Sequence, residues 1–546
     1  MENRPAPLLQ VENLTVPLPQ GFDRPYAIEN VSYSLNEGEI LCVVGESGSG
    51  KSMTANAIMG LLPSYLKPSS GLILLKGQDL LTMTEPQLQR ERGRTVSMVF
   101  QEPLSALNPL MRVGDQIAEV MEVHGIGDKT TREARVLELL SYVGLPEPET
   151  LRHSYPFRLS GGQRQRVMIA MALALEPAML IADEPTTALD VTTQAQILEL
   201  IRKVQRAKGM GVMFVTHDFG VVADIADRVV VMERGLVVEQ GTADEVLNHP
   251  KHPYTRRLIA AVPHRDDQNA RTAPEGQPLL EVKGLRKTYR SGGGLFSKPR
   301  VVNAVNDISL TLRRGETVGI VGESGSGKST LGRCLLKLTN VDGGQVLFRG
   351  KDIVPLSQGA FRPMRRHMQM IFQDPFASLN PRQTIGRILT DGPVANGVPL
   401  PQAQTRAREL LELVGLDRSA FDRYPHEFSG GQRQRVGIAR ALALEPELLV
   451  ADESVSALDV SVQAQVLKLL QELQEKLQIG ILFITHDLRV AAQICDRIAV
   501  MHRGEVVEMG PPAQIFDAPQ HPYTQRLIAA IPGMDWDPRA AVAEQA

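Results

Sequence analysis

The stretch Gly45-Glu-Ser-Gly-Ser-Gly-Lys-Ser52 decides the fold of this chain, and it returns unchanged at residues 322–329. Each copy follows a short apolar run typical of a buried strand and precedes a run with helical spacing. Strand, glycine-rich loop and helix form the context in which backbone N–H groups cradle phosphate oxygens. The sequence therefore predicts two phosphate-binding loops in an α/β fold. Their candidate nucleotide-binding residues are Gly45, Glu46, Ser47, Gly48, Ser49, Gly50, Lys51 and Ser52, and then Gly322, Glu323, Ser324, Gly325, Ser326, Gly327, Lys328, Ser329 and Thr330.

Other strings also occur twice and in the same order, which indicates a duplicated domain. The repeated strings are SGGQRQRV at residues 160–167 and 429–436, THD at 216–218 and 485–487, and HPYT at 252–255 and 521–524. A polar stretch without apolar periodicity separates the copies and is typical of a linker. We therefore expect a first domain over 1–262, a linker over 263–277 and a second domain over 278–546.

Composition excludes several classes of protein. The 546 residues carry a net charge of −3 and only 4% aromatic residues, which disfavours a general nucleic-acid binder. The longest apolar run, 167–175, is too short for a membrane span, and the first ten residues contain no secretory signal. Three cysteines, Cys42, Cys334 and Cys495, lie far apart, which favours small buried side chains over a disulfide or zinc scaffold.

A hydrophobic run ends in two carboxylates in each copy, at Asp183-Glu184 and at Asp452-Glu453. Ligands of an open α/β sheet gather at the carboxyl ends of its strands. An aspartate there can hold Mg²⁺, and a neighbouring glutamate can polarise an attacking water. The alternative is an acidic helix cap or turn, which the phosphate loops upstream make less favourable.

Together these residues resemble the ATP-binding cassette family. Its signature is matched by Ser160, Gly161, Gly162 and Gln163, and again by Ser429, Gly430, Gly431 and Gln432. Gln101 and Gln373 match the Q-loop, residues 188–190 and 457–459 match the D-loop, and His217 and His486 match the switch histidine. The second copy departs from the first at Phe428 and at Ser454, but neither change removes a functional group.

The resemblance implies two P-loop cassettes in tandem, each with an α/β core and a helical subdomain between Q-loop and signature. A run with helical spacing at Val136, Leu139, Leu140 and Val143 supports that subdomain, and Thr130-x-x-Glu133 is typical of a capping box at its start. The family's cassettes close over two ATP molecules, with each signature facing the opposite phosphate loop. The implied catalytic residues are Glu184, His217, Glu453 and His486, and the implied Mg²⁺ ligands are Ser52, Gln101, Asp183, Ser329, Gln373 and Asp452.

The two copies differ where the family stacks an aromatic on adenine. Tyr289 resembles that aromatic in the second copy. The first copy has Leu18 at the equivalent position, and Phe22 and Tyr26 follow as alternative aromatics. The resemblance therefore predicts two ATP sites that are unequal in how they hold adenine.

Strings after the Q-loops and D-loops, and HPYT, resemble the peptide/nickel importer branch. This implies two transmembrane permeases and an extracytoplasmic binding protein as partners, no nucleic acid, and a place on the cytoplasmic face of the bacterial inner membrane. Peptides or glutathione are the expected substrates, with nickel or opines as alternatives. A soluble twin-cassette protein acting on ribosomes or nucleic acid is the alternative of another class. No cysteine follows HPYT, so we expect no iron–sulfur cluster, and the lone His252 and His521 favour a docking turn over a metal site.

Overall fold

The computed structural model describes residues 6–187, 189–263, 274–291, 300–456 and 458–538. Most of the linker predicted over 263–277 lies outside these residues, as do Ala188 and Ala457 of the two D-loops. Strands and helices are numbered here through both copies in chain order.

The first copy alternates strands and helices. Its strands are β1 (Leu9–Pro17), β2 (Tyr26–Leu35), β3 (Ile40–Val44), β4 (Ser70–Leu75), β5 (Gln78–Asp79), β6 (Val96–Val99), β7 (Met179–Asp183), β8 (Gly211–Thr216), β9 (Arg228–Glu233) and β10 (Leu236–Thr242). Its helices are α1 (Lys51–Ile58), α2 (Glu85–Glu91), α3 (Pro103–Ala106), α4 (Val113–Val123), α5 (Lys129–Tyr142), α6 (Pro148–Leu151), α7 (Gly161–Ala172), α8 (Val191–Lys208), α9 (Phe219–Ile225), α10 (Ala243–Leu247) and α11 (Pro253–Ala260).

The second copy repeats this order. Its strands are β11 (Leu280–Ser291), β12 (Arg300–Leu312), β13 (Thr317–Val321), β14 (Gly343–Phe348), β15 (Lys351–Asp352), β16 (Met368–Ile371), β17 (Leu448–Asp452), β18 (Gly480–Thr485), β19 (Arg497–His502) and β20 (Glu505–Gly510). Its helices are α12 (Lys328–Leu335), α13 (Gln358–Phe361), α14 (Pro375–Ser378), α15 (Ile385–Ala395), α16 (Leu400–Leu413), α17 (Gly430–Leu442), α18 (Val460–Leu477), α19 (Leu488–Ile494), α20 (Pro512–Asp517) and α21 (Pro522–Ala529).

Each copy is built on a six-stranded sheet with the phosphate-loop strand near its centre. The order is β10-β9-β3-β8-β7-β6 in the first copy and β16-β17-β18-β13-β19-β20 in the second. All strands are parallel except β10 and β20, which pair antiparallel at one edge. Strands β3 and β7 are buried throughout, as expected of parallel strands covered on both faces. The phosphate loop and the Asp-Glu pair therefore follow strands that end at the same edge of the sheet.

A smaller antiparallel sheet, β2-β1-β4-β5 or β12-β11-β14-β15, covers one face of each large sheet. Ile28 from the small sheet, Ile58 of α1 and Met213 of β8 belong to the core between these layers. The opposite face packs against the helical region, where Leu140 and Val167 share a core with Phe214. The predicted α/β class, the duplication and the helical subdomain between Q-loop and signature are thus confirmed.

The predicted capping box at Thr130 is wrong. Helix α5 begins at Lys129, and the carboxylate of Asp128 accepts the N–H of Thr131 at 2.8 Å. Asp128 is an equally good N-cap that comes earlier, and Gly127, with φ of 68°, supplies the turn that leads into it. Thr130 therefore lies inside the helix.

All three cysteines are buried, as the sequence predicted. Across the described ranges, no helix has both the length and the apolar character needed to cross a bilayer.

Candidate functional site

The phosphate loops join β3 to α1 and β13 to α12, and each requires glycine at its first position. Gly45 has φ of 148°, and a Cβ added there would lie 2.1 Å from the carbonyl oxygen of Met232. The ammonium of Lys51 donates to the carbonyl oxygens of Gly45 and Glu46, at 2.7 and 2.9 Å. Lys328 repeats both contacts in the second loop. Each loop thus places a cation at a helix N-terminus, an arrangement that binds phosphate groups.

A serine from each loop contacts the aspartate at the end of the acidic strand. Ser52 Oγ donates to Asp183 Oδ1 at 2.9 Å, and Ser329 Oγ donates to Asp452 Oδ1 at 2.8 Å. Burial raises the pKa of Asp183 to about 6, and burial also raises the pKa of Asp452. Oxygen donors around a buried carboxyl fit Mg²⁺, which prefers oxygen ligands and stabilises the ionised carboxylate. A bound Mg²⁺ would neutralise phosphate charge at this position.

Glu184 follows β7 directly, with its backbone in the left-handed region at φ of 44°. Non-glycine residues held in this conformation concentrate at functional sites. Gln101 Nε2 donates to its Oε2 at 2.8 Å, Thr187 Oγ1 donates to the same oxygen at 3.0 Å, and His217 Nδ1 lies 3.4 Å from Oε1. Burial disfavours the charged form, but the contact with His217, aided by Lys51, lowers the pKa of Glu184 to about 2. The carboxylate is therefore ionised and held in a fixed orientation.

The second site repeats this arrangement with a longer contact to histidine. Glu453 has φ of 45°, and Gln373 Nε2 donates to its Oε2 at 2.7 Å. His486 Nδ1 lies 4.0 Å from Glu453 Oε1. Ser456 occupies the place of the threonine, but its hydroxyl donates to the backbone carbonyl of Glu453 at 3.0 Å. The two sites thus share their residue types and differ in side-chain contacts.

Each phosphate loop also contacts the other copy. Thr192 Oγ1 lies 2.5 Å from Glu323 Oε1, and the hydroxyl of Ser461 donates to Glu46 Oε1. Both hydroxyls lie two residues after the D-loop aspartate that caps the helix, α8 or α18. The clefts at the loops are accordingly shared between the copies: Leu189 lines the cleft at the second loop, and Ser461 lines that at the first.

The signature sequences begin helices α7 and α17. Ser160 accepts the N–H of Gln163 at 3.3 Å, and the Gln163 side chain accepts the N–H of Ser160 at 3.0 Å. Ser429 and Gln432 form the same capping box. Signature residues are not among the described residues that line the two clefts. The structure brings the residue two positions after each D-loop aspartate to the opposite phosphate loop, and the pairing of signature and loop stays a prediction.

The candidate adenine contacts differ between the copies. Tyr289 is 42% exposed and lines the second cleft beside Lys328 and Thr330. In the first copy Leu18 packs against the core and Phe22 is exposed, while Arg24 lines the cleft. An exposed aromatic ring at a nucleotide cleft is therefore found at the position predicted in the second copy.

Replacing Tyr289 by alanine is expected to weaken ATP binding at the second site about tenfold, because stacking of a base on an aromatic ring is worth about 1–3 kcal/mol. Equilibrium binding of ATP to the full chain measures the effect. Tyr289→Phe keeps the ring and is expected to bind ATP like the wild type. Equal affinity of the alanine and phenylalanine variants would place adenine elsewhere.

HPYT starts the helices near the end of each copy. His252 Nδ1 accepts the N–H of Tyr254 at 3.3 Å, and the His252 N–H donates to Glu239 at 3.1 Å. His521 caps α21 in the same way. The docking turn predicted for HPYT is therefore confirmed.

Several residues at the sites were not predicted from the sequence. They are Thr187, Thr192, Ser461, Tyr254 and Tyr523. The repeat contained a usable signal, since a hydroxyl residue recurs two positions after each D-loop aspartate and a tyrosine recurs in each HPYT.

Family models match both copies of the chain. A model described as ABC transporter matches residues 28–187 and 305–456. A model described as the oligopeptide/dipeptide transporter C-terminal region matches 238–289 and 507–545. The second pair of matches includes both HPYT segments and favours the importer hypothesis over one involving ribosomes or nucleic acid.

Curated relatives are similar over nearly the whole chain. Glutathione import ATP-binding protein GsiA of Escherichia coli O157:H7 is 47% identical over 96% of this chain and 89% of its own length. The protein of that name from Salmonella typhimurium is 47% identical over 97% of this chain and 90% of its own length. A solved structure, CbiO1 from Clostridium perfringens, is 28% identical and covers 50% of this chain and 100% of its own, with a TM-score of 0.41. The chain belongs to the ABC transporter family and is an ATPase subunit of its peptide-importer branch.

Proposed function

We propose that the chain is the energy-coupling subunit of an importer for glutathione or related short peptides, and that it binds two ATP molecules between its two cassettes. The similarity to glutathione import ATP-binding proteins supports the importer role, and the crossed contacts support the shared ATP sites: Thr192 reaches Glu323 and Ser461 reaches Glu46. Because each phosphate loop touches the opposite cassette, one chain can supply both sites. The proposed cassettes are 1–262 and 278–546, joined by the linker 263–277.

Each proposed site divides the work among its residues. The loop lysine would bind the terminal phosphates, and the loop serine, the strand aspartate and the amide oxygen of the Q-loop glutamine would hold Mg²⁺. Glutamate polarises the attacking water, while the Q-loop glutamine and the switch histidine fix its carboxylate. The signature helix of the opposite cassette donates N–H groups to the γ-phosphate when the cassettes close.

The proposed partners are two permease subunits, on which the chain sits at the cytoplasmic face of the membrane, and an extracytoplasmic binding protein. Each cassette exposes apolar side chains at equivalent positions, and in the second cassette Leu338 and Phe372 line one groove beside the Q-loop. Leu61 is 40% exposed and Leu338 is 55% exposed, and Phe100 and Phe372 directly precede the Q-loop glutamines. We define these four residues as the docking patch. A cytoplasmic permease segment seated there would contact the Q-loops and so sense ATP.

The function is tested by uptake in cells that lack this chain and then receive it back with its permeases and binding protein. Restored uptake of labelled glutathione or short peptides that depends on intact phosphate loops supports the proposal. Restored uptake of nickel or an opine alone would contradict the proposed substrate class. Association of the chain with ribosomes, without any restored uptake, would contradict the importer role.

Charging the docking patch is expected to separate the chain from its permeases. Leu61→Asp together with Leu338→Asp should abolish co-purification with the permeases from detergent extracts, because a buried carboxylate at an apolar interface is strongly unfavourable. Basal ATP hydrolysis of the isolated chain should stay within about twofold, since neither leucine touches the ATP clefts. Leu477→Asp, at an exposed leucine that ends α18, is the matched control. Undiminished co-purification of the double variant would show that the permeases bind elsewhere.

A further inference from the structure

The tyrosine of each HPYT segment is buried against a phosphate loop. Tyr254 and Tyr523 are each 3% exposed. The N–H of Glu46 donates to the Tyr254 hydroxyl at 3.0 Å, and the N–H of Glu323 donates to the Tyr523 hydroxyl at 3.1 Å. Both copies make this contact although their tyrosine rings have different neighbours, since His502 stacks on Tyr523 at 4.0 Å and Arg257 lies 5.6 Å from the Tyr254 ring. The shared feature is thus the hydroxyl contact.

This contact holds one end of a single peptide unit. The peptide between Gly45 and Glu46 gives its N–H to Tyr254 and receives Lys51 Nζ on its carbonyl oxygen, at 2.7 Å. The Lys51 ammonium has three N–H donors, and the carbonyl oxygens of Gly45 and Glu46 receive two of them, which leaves the third for phosphate. The lysine and the tyrosine hydroxyl hold opposite ends of this peptide, and the tyrosine is the one that holds its N–H and so fixes the plane of the peptide at the entry to the loop.

The same glutamates receive a contact from the opposite cassette. The backbone N–H of Glu323 donates to Tyr523. The carboxylate of Glu323 accepts the hydroxyl of Thr192 from the other cassette, at 2.5 Å. Glu46 is held in the same way between Tyr254 and Ser461. Each loop is therefore connected on one side to its own C-terminal segment and on the other to its partner cassette.

We propose that Tyr254 and Tyr523 are positioning residues for ATP binding, whose hydroxyls hold the first peptide of each phosphate loop in the orientation that receives phosphate. The inference rests on the proposed ATP sites and gives HPYT a part in them. Since the hydroxyls are buried and contact the backbone of the loops, they should affect ATP affinity and leave the chemical step unchanged.

The test replaces both tyrosines by phenylalanine in the full chain. Tyr254→Phe with Tyr523→Phe should raise KM for ATP about tenfold and leave kcat within about twofold, because the first peptide of each loop loses the hydrogen bond that holds its orientation, while the residues of the chemical step are kept. Tyr33→Phe is the matched control, as it removes another buried hydroxyl of the first cassette, one that contacts Met213 instead of the loop. Unchanged KM in the double variant, or lowered kcat at unchanged KM, would overturn the inference.

A second variant separates this inference from the proposed function. Lys51→Ala with Lys328→Ala should abolish ATP binding, measured at equilibrium with a fluorescent ATP analogue. If the lysine variant still binds ATP, the proposed sites are wrong, and the tyrosine role falls with them. If the lysine variant fails to bind and the phenylalanine variant binds like the wild type, only the role of the tyrosines is wrong. Weakened binding by the single Tyr254→Phe and Tyr523→Phe variants would support the role in each cassette.

Discussion

Replacing Glu184 and Glu453 together by glutamine is expected to lower ATP turnover by about 10²–10⁴-fold and to leave ATP binding intact. The amide keeps the size of the carboxylate but cannot accept a proton from water. Glu184 Oε2 accepts hydrogen bonds from the side chains of Gln101 and Thr187, and these two bonds hold the carboxylate in its orientation. The other oxygen, Oε1, makes the longer contact of 3.4 Å with His217 Nδ1, and we expect it to be the oxygen that takes the proton from water. Phosphate release at saturating Mg²⁺ and ATP measures turnover, and equilibrium binding measures affinity.

Glu102→Gln is the matched control for this double variant. Glu102 is exposed and directly follows the Q-loop glutamine, and the Glu102 side chain makes no capping hydrogen bond to α3. Removing the charge of Glu102 should therefore leave turnover within about twofold. Normal turnover of the double variant would show that another group activates the water. Single variants compare the sites, since the histidine lies 3.4 Å from the glutamate in one and 4.0 Å in the other.

The parts of the fold that depend on local pattern were predictable from the sequence. A buried strand, a glycine-rich loop and a helix are contiguous, so both phosphate loops and both acidic strands were found where expected. The helical subdomain followed from apolar spacing at Val136, Leu139 and Leu140, which are all buried. The start of α5 was misplaced because two good N-caps stand close together, and local propensity does not choose between them.

Contacts between the copies were not predictable in the same way. The approach of Thr192 to Glu323 depends on how two folded cassettes sit against each other, and apolar spacing within one copy carries no information on that placement. The contact of Tyr254 with the phosphate loop joins residues far apart in the chain. The sequence did show that a hydroxyl residue and a tyrosine recur at equivalent positions of both copies, but recurrence does not indicate which residue each of them contacts.

The two cassettes are also joined away from the ATP clefts, through Arg489 of α19. Its guanidinium is 11% exposed and lies 3.1 Å from Asp487 and 3.5 Å from Asp218 of the first cassette. Burial disfavours its charge, but these two carboxylates raise the pKa of Arg489. The equivalent residue of the first cassette is Gly220, where a Cβ would lie 2.8 Å from Arg489 Nη1. The missing side chain makes room for the arginine, so the contact can form in one direction only.

The chain after α21 continues this connection. Arg489 Nη1 donates to the carbonyl oxygen of Pro532 at 3.2 Å, and the Gly533 N–H donates to Asp224 of the first cassette at 3.1 Å. Trp536 Nε1 donates to Asn248 of the first cassette at 3.1 Å, and its ring packs against the first core. The last described residues of the second cassette therefore lie on the first, and they can hold the cassettes together while the ATP clefts open and close.

Arg489→Ala is expected to weaken this connection by about 3 kcal/mol, because it leaves the carboxylates of Asp218 and Asp487 largely buried and without their shared cation. Trp536 is the single tryptophan of the chain, so its emission reports the connection directly. In a urea titration of the variant, the red shift of Trp536 should occur at a lower concentration than in the wild type. Arg418→Ala, which removes an exposed ion pair with Glu412, should leave the midpoint unchanged. An Arg489→Ala midpoint equal to that of the wild type would mean that the tail, and not the arginine, holds the cassettes together.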